Sequence, residues 1–284
     1  MTLAEKLLLG AGASTELSPC LEFVSSTPMT ITPNYTNTGV TLQYSLNGLT
    51  WTTIASGETT PSANIIYFRG RATGTKSLFT SNSTSNAWVF TGATNLEVNG
   101  DITMLIQDIL GGKVSDVPLA TYCYHNMFYN CTSLVKAPDL PATTLANNCY
   151  QGMLEGCTSL TTPPVLPATT LASGCYDSML KGCTGLTTAP VLPATTLASN
   201  CYQGMLGNCA KLTTPPVLPA TTLAPSCYHY MFWGCTGLTT PPVLPATTLA
   251  SGCYKGMLGN CAKLTTPPEL PATTLASNCY DYMF

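Results

Sequence analysis

Charged side chains are scarce in this sequence, since Asp, Glu, Lys and Arg make up only 8% of its 284 residues, against about 25% in a typical soluble domain. The net charge of −3 provides no basic surface of the kind that attracts nucleic acids or anionic membranes. No apolar run approaches the roughly 18 residues of a membrane-spanning helix. We therefore expect no nucleic-acid partner and no insertion into a membrane.

Residue types that carry out chemistry are also sparse. The two histidines, His125 and His229, are far apart in the chain, and the carboxylates are isolated. Catalysis needs titratable groups that converge in one cleft, and no phosphate-binding loop, nucleophile elbow or metal motif occurs. We therefore expect a protein that is not an enzyme, holds no cofactor or metal, and exposes both histidines to solvent.

A secretion signal is weakly represented at the N-terminus. The apolar part of MTLAEKLLLGAGAS is short, and Glu5 lies where a signal peptide carries positive charge, although Ala11-Gly12-Ala13 resembles a cleavage site. A short helix or attachment arm over residues 1–19 is the favoured interpretation, and a signal peptide is the alternative.

Cysteine, in contrast, is abundant and periodic. Of the 14 cysteines, only Cys20 lies outside two series in which successive members are 26 residues apart. The first series consists of Cys123, Cys149, Cys175, Cys201, Cys227, Cys253 and Cys279, and the second of Cys131, Cys157, Cys183, Cys209, Cys235 and Cys261. A fixed period of 20 to 50 residues is the signature of stacked repeats, and 26 falls within the leucine-rich-repeat range.

These periodic cysteines are predicted to be core residues. Zinc sites bring cysteines within two to four residues of each other, whereas the spacing within a unit here is eight. That spacing is about 12 Å along a helix and adjacent helices lie about 8–10 Å apart, while a disulfide needs Cα atoms within about 7 Å. We expect buried, reduced thiols, which suit a reducing compartment. Disulfides in the second series, at the corner between helix and strand, are the alternative.

Each unit divides into three parts. In SNCYQGMLGNC, the residues Cys201, Met205 and Cys209 follow one stripe of a short helix. The next residues, LTT, read as a short strand that Pro215-Pro216 cuts off. VLPATTLA then reads as an extended return, with Leu218 pointing inward. One such unit cannot bury its apolar side alone, but stacked units form a continuous core.

The unit resembles the BspA-type leucine-rich repeats. The resemblance rests on MFYNCTSLVKAPDLP (Met127 to Pro141) and MFWGCTGLTTPPVLP (Met231 to Pro245), in which a helix end, a Cys, a Leu-bearing strand and LP recur at one spacing. It implies a right-handed α/β solenoid of leucine-rich-repeat type over residues 118–284, with an incomplete last unit. Repeats of this type occur in bacterial surface adhesins, and similar arrays occur in gut-bacteriophage proteins.

The preceding residues, 20–100, predict a small antiparallel, sandwich-like β domain. LQYSLNGLTWTTIA contains two alternating runs joined by Asn47-Gly48, the strongest short hairpin signal. NIIYFRGRA and AWVFTGATNLEVNG read as further strands. The segment is similar to the immunoglobulin-like modules that precede such repeats, and ITMLIQDILGG predicts a cap helix within a linker at 101–117.

The outer helix positions differ most between copies, and we expect a partner to bind there. Exposed aromatic residues are frequent binding anchors, which makes His229, Tyr230 and Trp233 the first candidates and Tyr129 and His125 the second. The alternative is that these positions vary only because nothing packs against them.

Together these features favour a non-enzymatic recognition or adhesion protein. A bacteriophage fibre or decoration protein on the virion surface is favoured, because reduced thiols suit synthesis in the cytosol. A bacterial cell-surface or secreted adhesin and a structural spacer without a ligand are the alternatives. The expected partner is a protein or glycan on a cell surface or in the extracellular matrix. Residues 1–19 and the C-terminal end are expected to contact other copies of the chain or virion proteins.

The last unit stops half-way, at Met283-Phe284. Repeat arrays need a polar cap at each end. We therefore expect this end to be covered by another chain, or the array to continue in a longer protein.

Overall fold

The computed structural model describes residues 20–37, 39–72, 77–83, 86–106 and 118–284. Within these residues the chain forms strands, turns and one four-residue 3₁₀ helix, Ile102–Leu105, and no α-helix. The predicted N-terminal arm lies outside the described residues, as does most of the predicted cap helix. In the part of the chain that is described, no helix is both long and apolar enough to cross a membrane.

Seven strands make up one mixed sheet near the N-terminus. They are β1 (Leu21–Thr32), β2 (Val40–Ser45), β3 (Thr52–Ile54), β4 (Ala63–Ala72), β5 (Val89–Thr91), β6 (Leu96–Asn99) and β7 (Leu134–Lys136). Their order is β3-β2-β4-β1-β6-β7, with β5 also paired to β1. The described pairs are antiparallel except β6–β7, which is parallel. A single mixed sheet thus replaces the predicted antiparallel sandwich, because β7 comes from the first repeat and extends the edge of the sheet.

The predicted hairpin is confirmed. Strands β2 and β3 pair antiparallel, with Leu42 opposite Ile54. The side-chain carbonyl of Asn47 accepts hydrogen bonds at 2.9 Å from the amides of Leu49 and Thr50, and Gly48 adopts φ 74°. An Asx turn followed by a left-handed glycine reverses the chain as the sequence indicates.

The repeat region consists of stacked coils with a period of 26 residues, the last of which ends at Phe284. We number them 1 to 7 by their first cysteine: Cys123, Cys149, Cys175, Cys201, Cys227, Cys253 and Cys279. The segment predicted as a helix is instead a ribbon of tight turns joined to the next coil by backbone hydrogen bonds. In coil 2 the amides of Tyr150, Gly152 and Leu154 donate to carbonyls of coil 3 at 2.9–3.0 Å. The amides between them, Gln151 and Met153, donate to the carbonyl three residues earlier.

The helix prediction fails because every fourth residue of the ribbon is left-handed. In coil 2 these residues are Asn148 (φ 54°), Gly152 (φ 61°) and Gly156 (φ 77°), and positive φ is incompatible with a right-handed helix. A period of four still places Cys149 and Met153 on one side, nearly as the 3.6-residue period of a helix does. The predicted helix, and with it the α/β solenoid of leucine-rich-repeat type, is therefore wrong.

Columns of identical side chains fill the core of the coils. The tyrosine that follows each first cysteine stacks on its neighbours, with ring centroids 5.7–5.9 Å apart and planes within 13°. These residues are Tyr124, Tyr150, Tyr176, Tyr202, Tyr228, Tyr254 and Tyr280. Offset parallel stacking adds to the stabilisation from burying each ring.

The periodic cysteines lie in the same core. All thirteen are buried and free. Thiols of the second series donate to a backbone carbonyl of the preceding coil, as Cys157 does to Phe128 at 3.2 Å and Cys235 does to Leu206 at 3.1 Å. Burial raises the pKa of Cys235 to about 12. These thiols are therefore small, hydrogen-bonded core residues.

The return segment is extended but forms few strand pairs. The predicted LTT strand forms in the first copy, as β7, and the later copies of LTT form no strand. The PATTLA segments are linked by single bridges such as Thr222 to Thr248. Leu218 is buried as predicted, and Val217 is 80% exposed. The returns thus present a face of threonine and valine on the side away from the turn ribbon.

The sheet covers the first coil. The amides of Leu78 and Trp88 donate to the carbonyls of Cys123 and Met127 at 3.2 and 2.9 Å, and Phe90 stacks on Phe128 with centroids 5.7 Å apart. Carbonyls that would otherwise be open at the start of the array thus receive donors from the segment between β4 and β5. Sheet and coils share one continuous core.

Candidate functional site

One row of left-handed residues shapes the outer surface of the turn ribbon. All have φ between 51° and 61°. We call this the left-handed row, and its members are Asn126, Gly152, Ser178, Gly204, Tyr230, Gly256 and Tyr282. Glycine occupies every second place in coils 2 to 6, so the surface of the array repeats every two coils.

Side chains of the left-handed row lie over the next coil, and this explains the alternation. The ring of Tyr230 lies where a Cβ at Gly256 would be, and the side chain of Asn126 does the same at Gly152. Ser178 is smaller and leaves more room, because its Oγ would lie 3.3 Å from a Cβ at Gly204. A residue larger than serine in this row therefore requires glycine in the following coil.

Polar side chains outside this row pair between the same coils. Gln151 donates to Asp177 across coils 2 and 3 at 3.1 Å, and Lys181 forms an ion pair with Glu155 at 3.1 Å. Further along the array, Lys255 pairs with Asp281 across coils 6 and 7 at 2.7 Å. These contacts join coil 2 to coil 3 and coil 6 to coil 7.

Three aromatic side chains gather on coil 5. His229 stacks on Tyr230 with ring centroids 4.1 Å apart and planes at 27°, and Tyr230 meets Trp233 edge to face at 5.2 Å and 78°. Tyr230 is 36% exposed. The ring of Trp233 lies where a Cβ at Gly259 would be, so both large rings rest on the glycines of coil 6. We call Tyr230 and Trp233 the aromatic corner.

A cavity of about 310 Å³ opens on the other side of the aromatic corner, over coil 4. It is lined by Gly204 and Gly207, which we call its floor, and by Lys181 of coil 3, Asn208 and the aromatic corner. Coils 4 and 6 share the sequence GMLGNC, yet only coil 6 is covered by rings. Coil 4 stays open because Ser178 is too short to cover it.

The backbone amides and carbonyls of the two floor glycines, Gly204 and Gly207, already form hydrogen bonds within the protein. The amide of Gly204 donates to the carbonyl of His229 at 2.7 Å, and its carbonyl accepts from Gly207 at 2.9 Å. The carbonyl of Gly207 accepts from the amide of Gly182 at 2.8 Å. A ligand at this floor would therefore meet α-carbons and backbone carbonyl oxygens that already accept hydrogen bonds, beside the lining residues Lys181 and Asn208 and the aromatic corner.

His229 supports the aromatic corner in its neutral form. Its Nδ1 lies 3.3 Å from Oε1 of Gln203, while its Nε2 is buried without a hydrogen-bond partner among the described residues. Burial, and then the nearby charge of Lys255, lower the pKa of His229. A second proton would place an unpaired N–H in the interior, so the ring stays uncharged near neutral pH.

The structure brings the first three predicted contact residues together and separates the other two. Tyr129 is half-buried on coil 1. His125 is only 5% exposed, with Nδ1 3.4 Å from the amide nitrogen of Asn86 and its ring edge-to-face with Tyr122. The prediction of a solvent-exposed contact at His125 is wrong, because the sheet covers coil 1.

Lys181 and Asn208 line the cavity and were not among the predicted contact residues. The nearest signal in the sequence is the pair of bare glycines at positions 204 and 207, which removes side chains from the outer face of one coil. Among the described residues, no group of three or more His, Cys, Asp or Glu side chains could hold a metal ion.

Comparisons with known proteins gave no match: no family model fits the chain, and neither a curated protein nor a solved structure is significantly similar to it.

Proposed function

We propose that this is a non-enzymatic recognition protein that binds its ligand in the cavity between Lys181 and Trp233. The observation that carries the proposal is the open floor of coil 4 beside the aromatic corner. A concave site with aromatic walls and a few polar groups at its rim is the usual form of a small-ligand site, and Tyr and Trp are frequent binding anchors.

The rigidity of the surroundings supports this function. Tyr230 and Trp233 rest on Gly256 and Gly259, which fixes one side of each ring, and the backbone beneath is tied to both neighbouring coils. Side chains that are fixed before binding lose little conformational entropy when a ligand arrives. The cavity is therefore preorganised.

We propose display on a virion surface, with a bacterial cell surface as the alternative. Thirteen buried, reduced thiols suit a protein that folds in the cytosol before display. The ligand would be a glycan or a protein on a cell surface or in the extracellular matrix.

A structural spacer without a ligand is the second candidate. The column of stacked tyrosines and the continuous hydrogen bonds between coils favour it, because such a rod would hold two ends apart without binding anything at its side. The two candidate functions differ in whether substitutions at Tyr230 and Trp233 change binding to another molecule.

The test is to screen the full chain on a printed array of glycans and extracellular-matrix proteins. We expect saturable binding to at least one probe, at least tenfold weaker for Trp233→Ala and unchanged for Tyr129→Ala, which removes the aromatic side chain at the equivalent position of coil 1. Absence of saturable binding would favour the spacer, and equal losses in both variants would contradict binding in this cavity.

A further inference from the structure

We propose that the ligand group held in this cavity is a neutral pyranose ring at the end of a glycan. The proposal rests on the proposed function, because it names the chemistry of the ligand at the same site. It follows from the shape of the cavity, from the hydrogen-bonding state of its floor and from the charges around it.

The shape suits a single saturated ring. The ring planes of Tyr230 and Trp233 meet at 78°, and both residues line the cavity beside two glycines that have no side chains. The volume of about 310 Å³ is at the lower end of the range for ligand sites, roughly 300–1,000 Å³. A single sugar ring fits in a cavity of this volume, whereas a longer oligosaccharide would extend out of it.

The site has an apolar part and a polar part, and so does a pyranose. A pyranose has a face of C–H groups and a perimeter of hydroxyls. The C–H face matches the aromatic corner and the glycine floor, because aromatic π faces are electron-rich and apolar. The hydroxyls match Asn208, a lining residue whose side-chain amide can both donate and accept. Lys181 also lines the cavity, and its ammonium, 3.1 Å from Glu155 of coil 2, has further N–H groups to donate.

The charges favour a neutral ligand. Lys181 is already paired with Glu155 at 3.1 Å, so it offers hydrogen bonds without a strong net field. A cationic ligand such as a quaternary ammonium would approach the ammonium of Lys181, and an anionic one would approach the carboxylate of Glu155.

The hydrogen bonds that the floor glycines already form disfavour an extended peptide as the ligand. Peptides that bind in extended form gain affinity from main-chain hydrogen bonds to a free edge. Gly204 and Gly207 have already used the groups that would make them. An aromatic side chain of a peptide is the remaining competitor, and it becomes an outcome of the test.

The experiment uses the full chain labelled with 5-fluorotryptophan and followed by fluorine NMR. The chain has three tryptophans, and the signal of Trp233 is assigned with Trp233→Phe. The probes are methyl β-galactopyranoside, methyl β-glucopyranoside, N-acetylphenylalanine amide and choline. We expect a methyl glycoside to shift the Trp233 signal saturably, with a Kd on the order of 1 mM, and to leave Trp51 and Trp88 unchanged.

The control variant is Gly207→Glu, which places in the cavity the residue that coil 2 carries at the same position, Glu155. It should abolish the shift, while Tyr129→Ala should retain it. If choline or the phenylalanine amide shifts Trp233 and neither glycoside does, the pyranose assignment is wrong. It is also wrong if no probe shifts Trp233 although Trp233→Ala still weakens binding on the printed array, and recognition at the corner then stands. If Trp233→Ala has no effect on the array, the proposed function fails as well.

Discussion

Tyr230 lies across the α-carbon of Gly256 in the next coil, where any Cβ would collide with its ring. This contact connects the backbone of the array to its surface, because the left-handed residue at position 230 directs its side chain along the array rather than away from it. The aromatic corner therefore leans towards coil 6 and leaves coil 4 open.

We predict that Gly256→Ser destabilises the protein by about 1–3 kcal/mol, the usual cost of overpacking, because the new Cβ meets the ring of Tyr230. The double variant with Tyr230→Ser should recover most of the loss, since a serine in this row leaves 3.3 Å to a Cβ in the next coil, as Ser178 does at Gly204. Urea unfolding measures both. Ser178 itself adopts φ 54° in this row, so an equal loss in the double variant would show that φ and not the ring is responsible.

Two tyrosine-to-phenylalanine variants of the stacked column should behave differently. The hydroxyl of Tyr124 donates to the carbonyl of Ile102 at 3.2 Å, so Tyr124→Phe should cost about 1 kcal/mol. The hydroxyl of Tyr202 is buried without a partner among the described residues, so Tyr202→Phe should be neutral or stabilising. Urea midpoints compared under the same conditions measure the difference. A substantial loss for Tyr202→Phe would mean that its hydroxyl is hydrogen-bonded in solution.

The periodic thiols should resist alkylation in the native state. Burial raises the pKa of Cys201 and Cys235 to about 12, and only the thiolate reacts. We expect iodoacetamide at pH 8 to leave the periodic cysteines unmodified over hours and to modify them readily in denaturant, as read by intact mass. Rapid native modification of a residue such as Cys201 would contradict its place in the core.

Protonation of His125 at low pH should weaken the contact between the sheet and the coils and so lower the free energy of unfolding. Burial lowers its pKa to about 4 from an ordinary value of 6.5, so the unfolded chain binds the proton more readily than the folded one. Stability contributed by the neutral ring is complete above pH 6.5 and falls as the pH drops towards 4, by at most about 3 kcal/mol. His125→Gln, which introduces the residue found at positions 151 and 203, should reduce the slope of unfolding free energy against pH in this window. An unchanged slope would show that His125 is not the group responsible.

The sequence predicted the period, the buried cysteines and the Asn47-Gly48 hairpin, because each depends on local pattern. It did not predict the turn ribbon, since buried residues four apart, such as Cys201 and Met205, fit a helix almost as well. The left-handed residues that distinguish the two include Tyr230, a residue type that rarely adopts positive φ. No local sequence pattern predicts positive φ at this tyrosine.

The cavity could not be predicted for a different reason. In the sequence, bare glycine coils lie on both sides of Trp233, at Gly207 and Gly259, and nothing local says which one its ring will cover. The choice depends on the direction in which side chains leave the ribbon, which the stacking of coils fixes. The burial of His125 likewise depends on the sheet, which comes from a distant part of the chain.

The most direct test of the central claim is the affinity of the full chain for its strongest array probe, compared between Gly207→Glu and Thr213→Glu. Both variants add the same charge to coil 4, but only the first fills the cavity, because Thr213 is exposed and does not line it. We predict at least a tenfold loss of affinity for Gly207→Glu and no change for Thr213→Glu. Equal affinity for the two variants would contradict binding in the cavity.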